Sequence, residues 1–68
     1  MNIIKTNSKT IIEALQQGKK VFVNGFDWEV KQLSGEYQIV SVDDGTMFCP
    51  LLNKDNKLIL AHAKYFFN

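Results

Sequence analysis

The chain has 68 residues, of which 46% are hydrophobic and 22% charged, and a formal net charge of +1, so we expect one hydrophobic core and one domain over residues 1–68. This balance excludes a disordered chain, and no apolar run approaches the roughly 20 residues of a membrane-spanning helix. All eight basic residues are lysines, without a block of like charge, which disfavours a dedicated nucleic-acid binder because arginine is the usual bidentate partner of phosphate and guanine.

The first residues and the cysteine content indicate the cellular compartment of the protein. Residues 1–17 lack the continuous apolar stretch of a secretory signal, because polar residues surround Ile3 and Ile4. The single Cys49 cannot form an intramolecular disulfide, whereas small secreted domains usually carry several. We therefore expect a cytoplasmic protein without membrane association.

A helix is predicted over residues 9–17. Thr10 and Glu13 have the spacing of a capping box, and Gly18 is well placed to end the helix in the left-handed conformation. The side chains predicted to face the core are Ile11, Ala14 and Leu15. Residues 1–7 are expected to form a short strand or to pack their isoleucines against this helix.

After the helix, apolar residues alternate with polar ones, which predicts strands. Asn24-Gly25 is predicted as a two-residue hairpin loop, pairing Val21 with Trp28 and Phe22 with Asp27. Phe22 then lies on the face away from the helix. The residues expected on the helix side, with Trp28 in the core, are Val21, Val23, Phe26, Trp28 and Val30.

Ser34-Gly35 is predicted as a second two-residue loop, which pairs Val30 with Ile39 and Glu29 with Val40. Later turns and strands extend the pattern, with a last strand predicted over residues 57–61. The predicted fold class is α+β: an N-terminal helix followed by an antiparallel β-meander of four to five strands, with a small curled barrel as the alternative.

The apolar residues 65–67 are expected to pack back on the domain or on a partner. Either arrangement removes their aromatic side chains from water.

No pattern for catalysis, a cofactor or a metal is present. Cys49 and His62 lack an orienting group and oxyanion donors, and Asp43-Asp44 beside Gly45 is typical of a turn. Zinc would need more cysteine and histidine ligands than the chain contains. We therefore predict a protein that is not an enzyme.

The face away from the helix is the predicted partner-binding surface, because an apolar patch with a charged rim is typical of an interface. Its apolar residues are Phe22, Val40 and Val42, and its rim residues are Lys20, Asp27, Glu29 and Lys31. The alternative is that a curled sheet or the C-terminal aromatics bury Phe22 as part of the core.

Residues 12–21, Ile-Glu-Ala-Leu-Gln-Gln-Gly-Lys-Lys-Val, followed by Gly25 and Trp28, resemble the start of the phage Thoeris anti-defence proteins, which sequester a nucleotide signal. The likeness does not extend to the C-terminal half, and no ligand residue is carried over. It implies a short phage-encoded protein that acts in the host cytoplasm.

The leading hypothesis is a non-catalytic interaction protein of phage or mobile-element type. It would inhibit a host defence system, as an anti-CRISPR does, through contact with a protein partner. One alternative is an SH3-like or OB-like nucleic-acid-binding module using Lys19, Lys20 and Lys31. The other is a homo-oligomeric sponge for a nucleotide signal.

Overall fold

The computed structural model describes the backbone of residues 2–4 and 7–67 and the side chains of residues 7–67. Its elements in chain order are β1 (Asn2–Ile4), α1 (Ser8–Gln16), β2 (Val21–Val23), β3 (Trp28–Leu33), β4 (Glu36–Ser41), β5 (Met47–Pro50) and β6 (Tyr65–Phe67). The strands form one antiparallel sheet in the order β1-β6-β2-β3-β4-β5. The α+β class with a meander is confirmed.

The sheet has six strands, of which five follow α1, as predicted, and one, β1, precedes it. It is open, because β1 and β5 lie at opposite ends of the strand order, so the small barrel does not form. No helix in residues 2–4 and 7–67 is long and apolar enough to cross a membrane.

Helix α1 begins one residue earlier than predicted, and Asn7 rather than Thr10 is its cap. The Asn7 Oδ1 atom accepts hydrogen bonds from the Thr10 backbone N–H at 2.8 Å and from the Thr10 hydroxyl at 2.9 Å. At the other end, Gly18 has φ +81° as predicted. The Lys19 N–H then donates to the Ala14 carbonyl at 3.1 Å, which closes the helix in a Schellman motif.

The first hairpin has a longer loop than predicted. Val21 pairs with Val30 and Phe22 with Glu29, so residues 24–27 form the loop. The register differs from the predicted one by two residues, and the strand residues therefore keep their predicted faces. Phe26, however, falls in the loop and is 63% exposed, so its predicted place in the core is wrong.

The second hairpin agrees with the prediction. Val30 pairs with Ile39, and Glu29 pairs with Val40. Ser34 and Gly35 have φ values of 52° and 82°, as a type I′ turn requires.

The C-terminal part differs most from the prediction. Residues 57–61 form turns rather than a strand, with one isolated bridge between Leu52 and Leu58. Asn53 explains the turn, because its Oδ1 atom accepts from the backbone N–H groups of Asp55 and Lys57 at 2.8 and 3.1 Å. Residues 65–67 do pack on the domain, as strand β6 between β1 and β2.

The core lies on one face of the sheet. Its buried residues are Ile11, Ala14, Val21, Val23, Val30, Ile39, Leu51 and Tyr65. Trp28 packs against this cluster as predicted, and so do Leu52, Leu58 and Leu60 from the irregular segment 51–64. Helix α1 and segment 51–64 therefore pack on the same face, which leaves the opposite face for the site below.

Candidate partner-binding face

The side of the sheet away from the core, which we call the open face, carries a row of residues that runs across five strands. Strand pairing joins Phe66 to Phe22, Phe22 to Glu29, Glu29 to Val40, and Val40 to Met47. Residues that pair directly across neighbouring antiparallel strands point to the same side of the sheet. We call these five residues the central row.

The apolar members of the open face differ in exposure. Met47 is 59% exposed, and Phe26 and Val42, which flank the row, are 63% and 45% exposed. Phe22 and Phe66 are half-buried. The ring centroids of Phe22 and Phe26 lie 5.6 Å apart, so the loop phenylalanine extends the apolar surface of the row.

Of the three predicted apolar patch residues, the structure places two at the surface. Phe22 is half-buried and lies outside the core cluster. Val42 is exposed just beyond β4, where its N–H donates to the Asp27 carbonyl at 2.9 Å. Val40 also lies outside the core cluster but is only 2% exposed. Its contribution to a binding surface is therefore small, and its main role is packing.

The four predicted rim residues occupy two kinds of position. Lys20, Asp27 and Lys31 are exposed, as a rim requires. Glu29 is half-buried and belongs to the central row itself, between Phe22 and Val40. An acidic group therefore lies in the middle of the apolar surface rather than around it.

Three residues of the open face were not predicted, namely Phe26, Met47 and Phe66. Met47 and Cys49 are two residues apart, so in a regular strand they would point to the same side of the sheet. A β-bulge between Ile39 and Val40 shifts the pairing. Met47 therefore lies on the open face, whereas Cys49 packs against the core. Phe66 reaches the face through pairing with Phe22, 44 positions away in sequence numbering. Local alternation contains no signal for either event.

Within residues 7–67, three titratable side chains outside the open face have shifted pKa values. Burial raises the pKa of the Cys49 thiol, which disfavours the nucleophilic thiolate. The pKa of Tyr65 is raised by burial and by the neighbouring Cys49, and its hydroxyl donates to the Leu60 carbonyl at 3.0 Å. A hydrogen bond from the Thr46 N–H lowers the pKa of Asp44, as expected for a turn residue.

The described residues form clefts outside the open face. One, of about 430 Å³, separates the Gly35 turn from the turn at residues 53–56. Another, of about 330 Å³, lies between Asn24 and residues 59–63. A third, of about 200 Å³, is lined by Val23, Asn24, Trp28, Ile39, Phe48 and Leu60. Within the part of the chain whose side chains are described, no group of three or more histidine, cysteine or acidic residues could hold a metal ion.

No protein-family model matches the chain, and comparisons with curated proteins and with solved structures also give no match. The function proposed next therefore depends on the geometry of the open face.

Proposed function

We propose that this chain is a non-catalytic interaction protein that binds a protein partner through the open face. The observation that carries the proposal is the position of three large apolar side chains that are 45–63% exposed: Met47 within the central row, and Phe26 and Val42 beside it. Both α1 and segment 51–64 pack on the other face. Clustered exposed apolar side chains on a small domain are typical of a contact surface.

The composition of the open face supports a protein partner. Aromatic residues and methionine are enriched at protein interfaces, and charged residues usually lie around their edge. The face contains phenylalanines and Met47 on either side of Glu29, with exposed Lys20, Asp27 and Lys31 nearby. The backbone of its central row belongs to paired strands, so binding there would cost little ordering entropy.

The same features do not favour nucleic acid. The rim carries charges of both signs, whereas nucleic-acid-binding surfaces are dominated by positive charge. The SH3-like or OB-like alternative also depended on a curled sheet, and this sheet is open.

Within the class of interaction proteins, we propose an inhibitor that blocks a host defence system by occupying a protein surface. The support is the resemblance of residues 12–21 to the start of short phage anti-defence proteins, together with the small size of the domain. An inhibitor of this kind needs a rigid surface and no catalytic group.

Two substitutions on the open face test the proposal, namely Phe26→Asp and Met47→Asp. Both side chains are largely exposed, so the variants should fold with unchanged circular dichroism. The matched control is Ile59→Asp, because Ile59 is 42% exposed on segment 51–64, which covers the other face. Purified tagged chains are used to capture partners from host cell extract, and captured proteins are identified by mass spectrometry and titrated individually.

The proposal expects a partner that binds the wild type and the Ile59 variant and loses at least about tenfold in affinity with either open-face variant. A partner that binds all four proteins equally would contradict the choice of face. Salt-dependent retention of the wild type on DNA or RNA would favour the nucleic-acid alternative instead.

A further inference from the structure

Glu29 is the acidic residue at the centre of the open face. Its cross-strand neighbours are Phe22 on one side and Val40 on the other. Its strand, β3, has paired strands on both sides, and Glu29 is half-buried. A glutamate on an exposed sheet face is ordinary at the rim, but here both cross-strand neighbours are apolar.

Among the side chains that the structure describes, none forms a hydrogen bond or an ion pair with this carboxylate. Within residues 7–67, the carboxylates that form side-chain hydrogen bonds belong to Glu36 and Asp44. Lys31 lies two residues further along the same face, but it is exposed. Within residues 7–67, the hydrogen bonds of the Glu29 carboxylate therefore fall to water.

A partner that covers the central row would remove that water. Desolvating a carboxylate without replacing its hydrogen bonds opposes binding strongly, whereas a cation placed against it offsets the loss. A purely apolar partner surface thus fits Phe22, Phe26 and Met47 but not Glu29. Charge complementarity requires a positively charged group in the middle of the partner's apolar surface.

An arginine meets this requirement better than a lysine. Its guanidinium can pair with a carboxylate through two parallel hydrogen bonds, and its flat face can lie on an aromatic ring. Phe22 is the direct cross-strand neighbour of Glu29, so both contacts are available side by side. The chain uses a related contact elsewhere, because the Lys19 Nζ atom lies 4.3 Å from the centroid of the Phe67 ring.

We infer that the partner inserts a cationic side chain, arginine in preference to lysine, onto Glu29 and Phe22, with apolar residues on either side of it. This inference rests on the proposed function, since it specifies the chemistry of the partner at the same face. Glu29 is then the residue that selects among apolar partner surfaces.

A library of random heptapeptides displayed on phage provides the probe. The wild-type chain is panned against it, and enriched peptides are synthesised and titrated against the wild type, Glu29→Gln and Phe26→Asp. Glu36→Gln is the matched control, because Glu36 is an exposed acid on β4 outside the central row. Thermal melting first establishes that each variant is folded.

We expect enriched peptides to contain an arginine next to apolar residues. Their affinity should fall at least about tenfold with Glu29→Gln, in line with the loss of a hydrogen-bonded ion pair, and should not change with Glu36→Gln. Replacing the arginine of the peptide by glutamine should have an effect as large as Glu29→Gln, and replacing it by lysine a smaller one.

Other results would overturn the inference in distinguishable ways. One such result is a set of enriched peptides that lack a basic residue and lose affinity with Phe26→Asp but not with Glu29→Gln. That result would contradict the inserted cationic side chain and would still support the proposed function. Peptides insensitive to both variants, or no enriched peptides, would overturn the inference and count against the open face as a binding surface.

Discussion

Asn24 and Lys64 are joined by a reciprocal pair of hydrogen bonds. The Asn24 N–H donates to the Lys64 carbonyl at 2.7 Å, and the Lys64 N–H donates to Asn24 Oδ1 at 2.9 Å. The pair continues the ladder that begins with Val23 and Tyr65. Asn24 therefore acts as the link between β2 and β6, and this role explains why it does not form a two-residue loop with Gly25.

The first prediction concerns this link. Replacing Asn24 by alanine should lower the free energy of unfolding by about 1–2 kcal/mol, because it removes the Oδ1 acceptor and places alanine at a positive φ. Urea denaturation measures the change. The control is Asn56→Ala, since Asn56 has nearly the same φ, 61° against 55°. Equal losses in the two variants would show that the hydrogen bond to Lys64 contributes nothing.

The second prediction concerns the start of α1. Asn7→Ala should destabilise the protein by about 1 kcal/mol, the usual cost of losing an N-cap acceptor. Thr10→Ala should cost less, because the Thr10 backbone N–H can still donate to Asn7 Oδ1. Thermal melting of the two variants compares them directly. A larger loss with Thr10→Ala would favour the capping box that the sequence predicted.

The third prediction concerns the different burial of the two valines in the predicted patch. Val40→Ala should cost about 1.5 kcal/mol, since it removes two buried carbon atoms. Val42→Ala should cost less than about 0.5 kcal/mol, because its side chain is 45% exposed whereas Val40 is 2% exposed. Chemical denaturation of both variants tests this. Similar effects at both positions would mean that Val40 is not held by packing.

The fourth prediction concerns alkaline pH. The folded protein raises the pKa of Tyr65 above the ordinary value of 10.0, mainly through burial. The contribution of Tyr65 to stability is therefore fully present below about pH 10 and is lost as the pH rises through the higher folded value. Cys49, raised from an ordinary value of 9.0, adds a loss of the same sign that begins about one unit lower.

Unfolding free energies measured between pH 8 and pH 11.5 should thus decrease with pH. In a plot of unfolding free energy against pH, Tyr65→Phe should reduce the slope at the high-pH end. Cys49→Ala should reduce the slope at the lower-pH end. The hydroxyl bond to Leu60 is also lost in Tyr65→Phe, so this variant should be less stable by about 1 kcal/mol at neutral pH. An unchanged slope in Tyr65→Phe would contradict the assignment to this phenol.

The fifth prediction concerns the turn between β3 and β4. Ser34 occupies a left-handed position, φ 52°, where asparagine is more favourable than serine. Ser34→Asn should stabilise the protein by about 0.5 kcal/mol. Gly35→Ala should destabilise it by about 1 kcal/mol. The cause is the backbone conformation, because φ is 82°, and not a steric clash, since a Cβ atom would meet nothing within 4 Å. Differential scanning calorimetry can resolve both shifts.

Local patterns predicted the parts of this fold that depend on neighbours in sequence. The Ser34-Gly35 turn set the register of its hairpin, and the alternation around Val21 and Trp28 assigned the faces correctly. The helix end at Gly18 was predicted from one residue type. In each case the deciding interaction lies within a few residues of the signal.

The errors arise where a distant partner decides the structure. Asn24 forms hydrogen bonds with Lys64 instead of a two-residue turn with Gly25, so the first loop is longer than predicted. As a result, Phe26 lies on the open face rather than in the core. No local sequence pattern predicts the pairing of Phe66 with Phe22. Of the site, Phe22, Glu29 and their face were predictable, whereas Phe26, Met47 and Phe66 required the tertiary pairing.

Strand β6 follows every other described strand in sequence but lies between β1 and β2 in the sheet. Its pairings close the longest loops in the fold, whereas β3 and β4 meet across a two-residue turn. Loop-closure entropy favours the short hairpin as the earliest structure, with insertion of β6 as a late step. Mutations at Ile39 should then slow refolding, while mutations at Tyr65 should mainly accelerate unfolding.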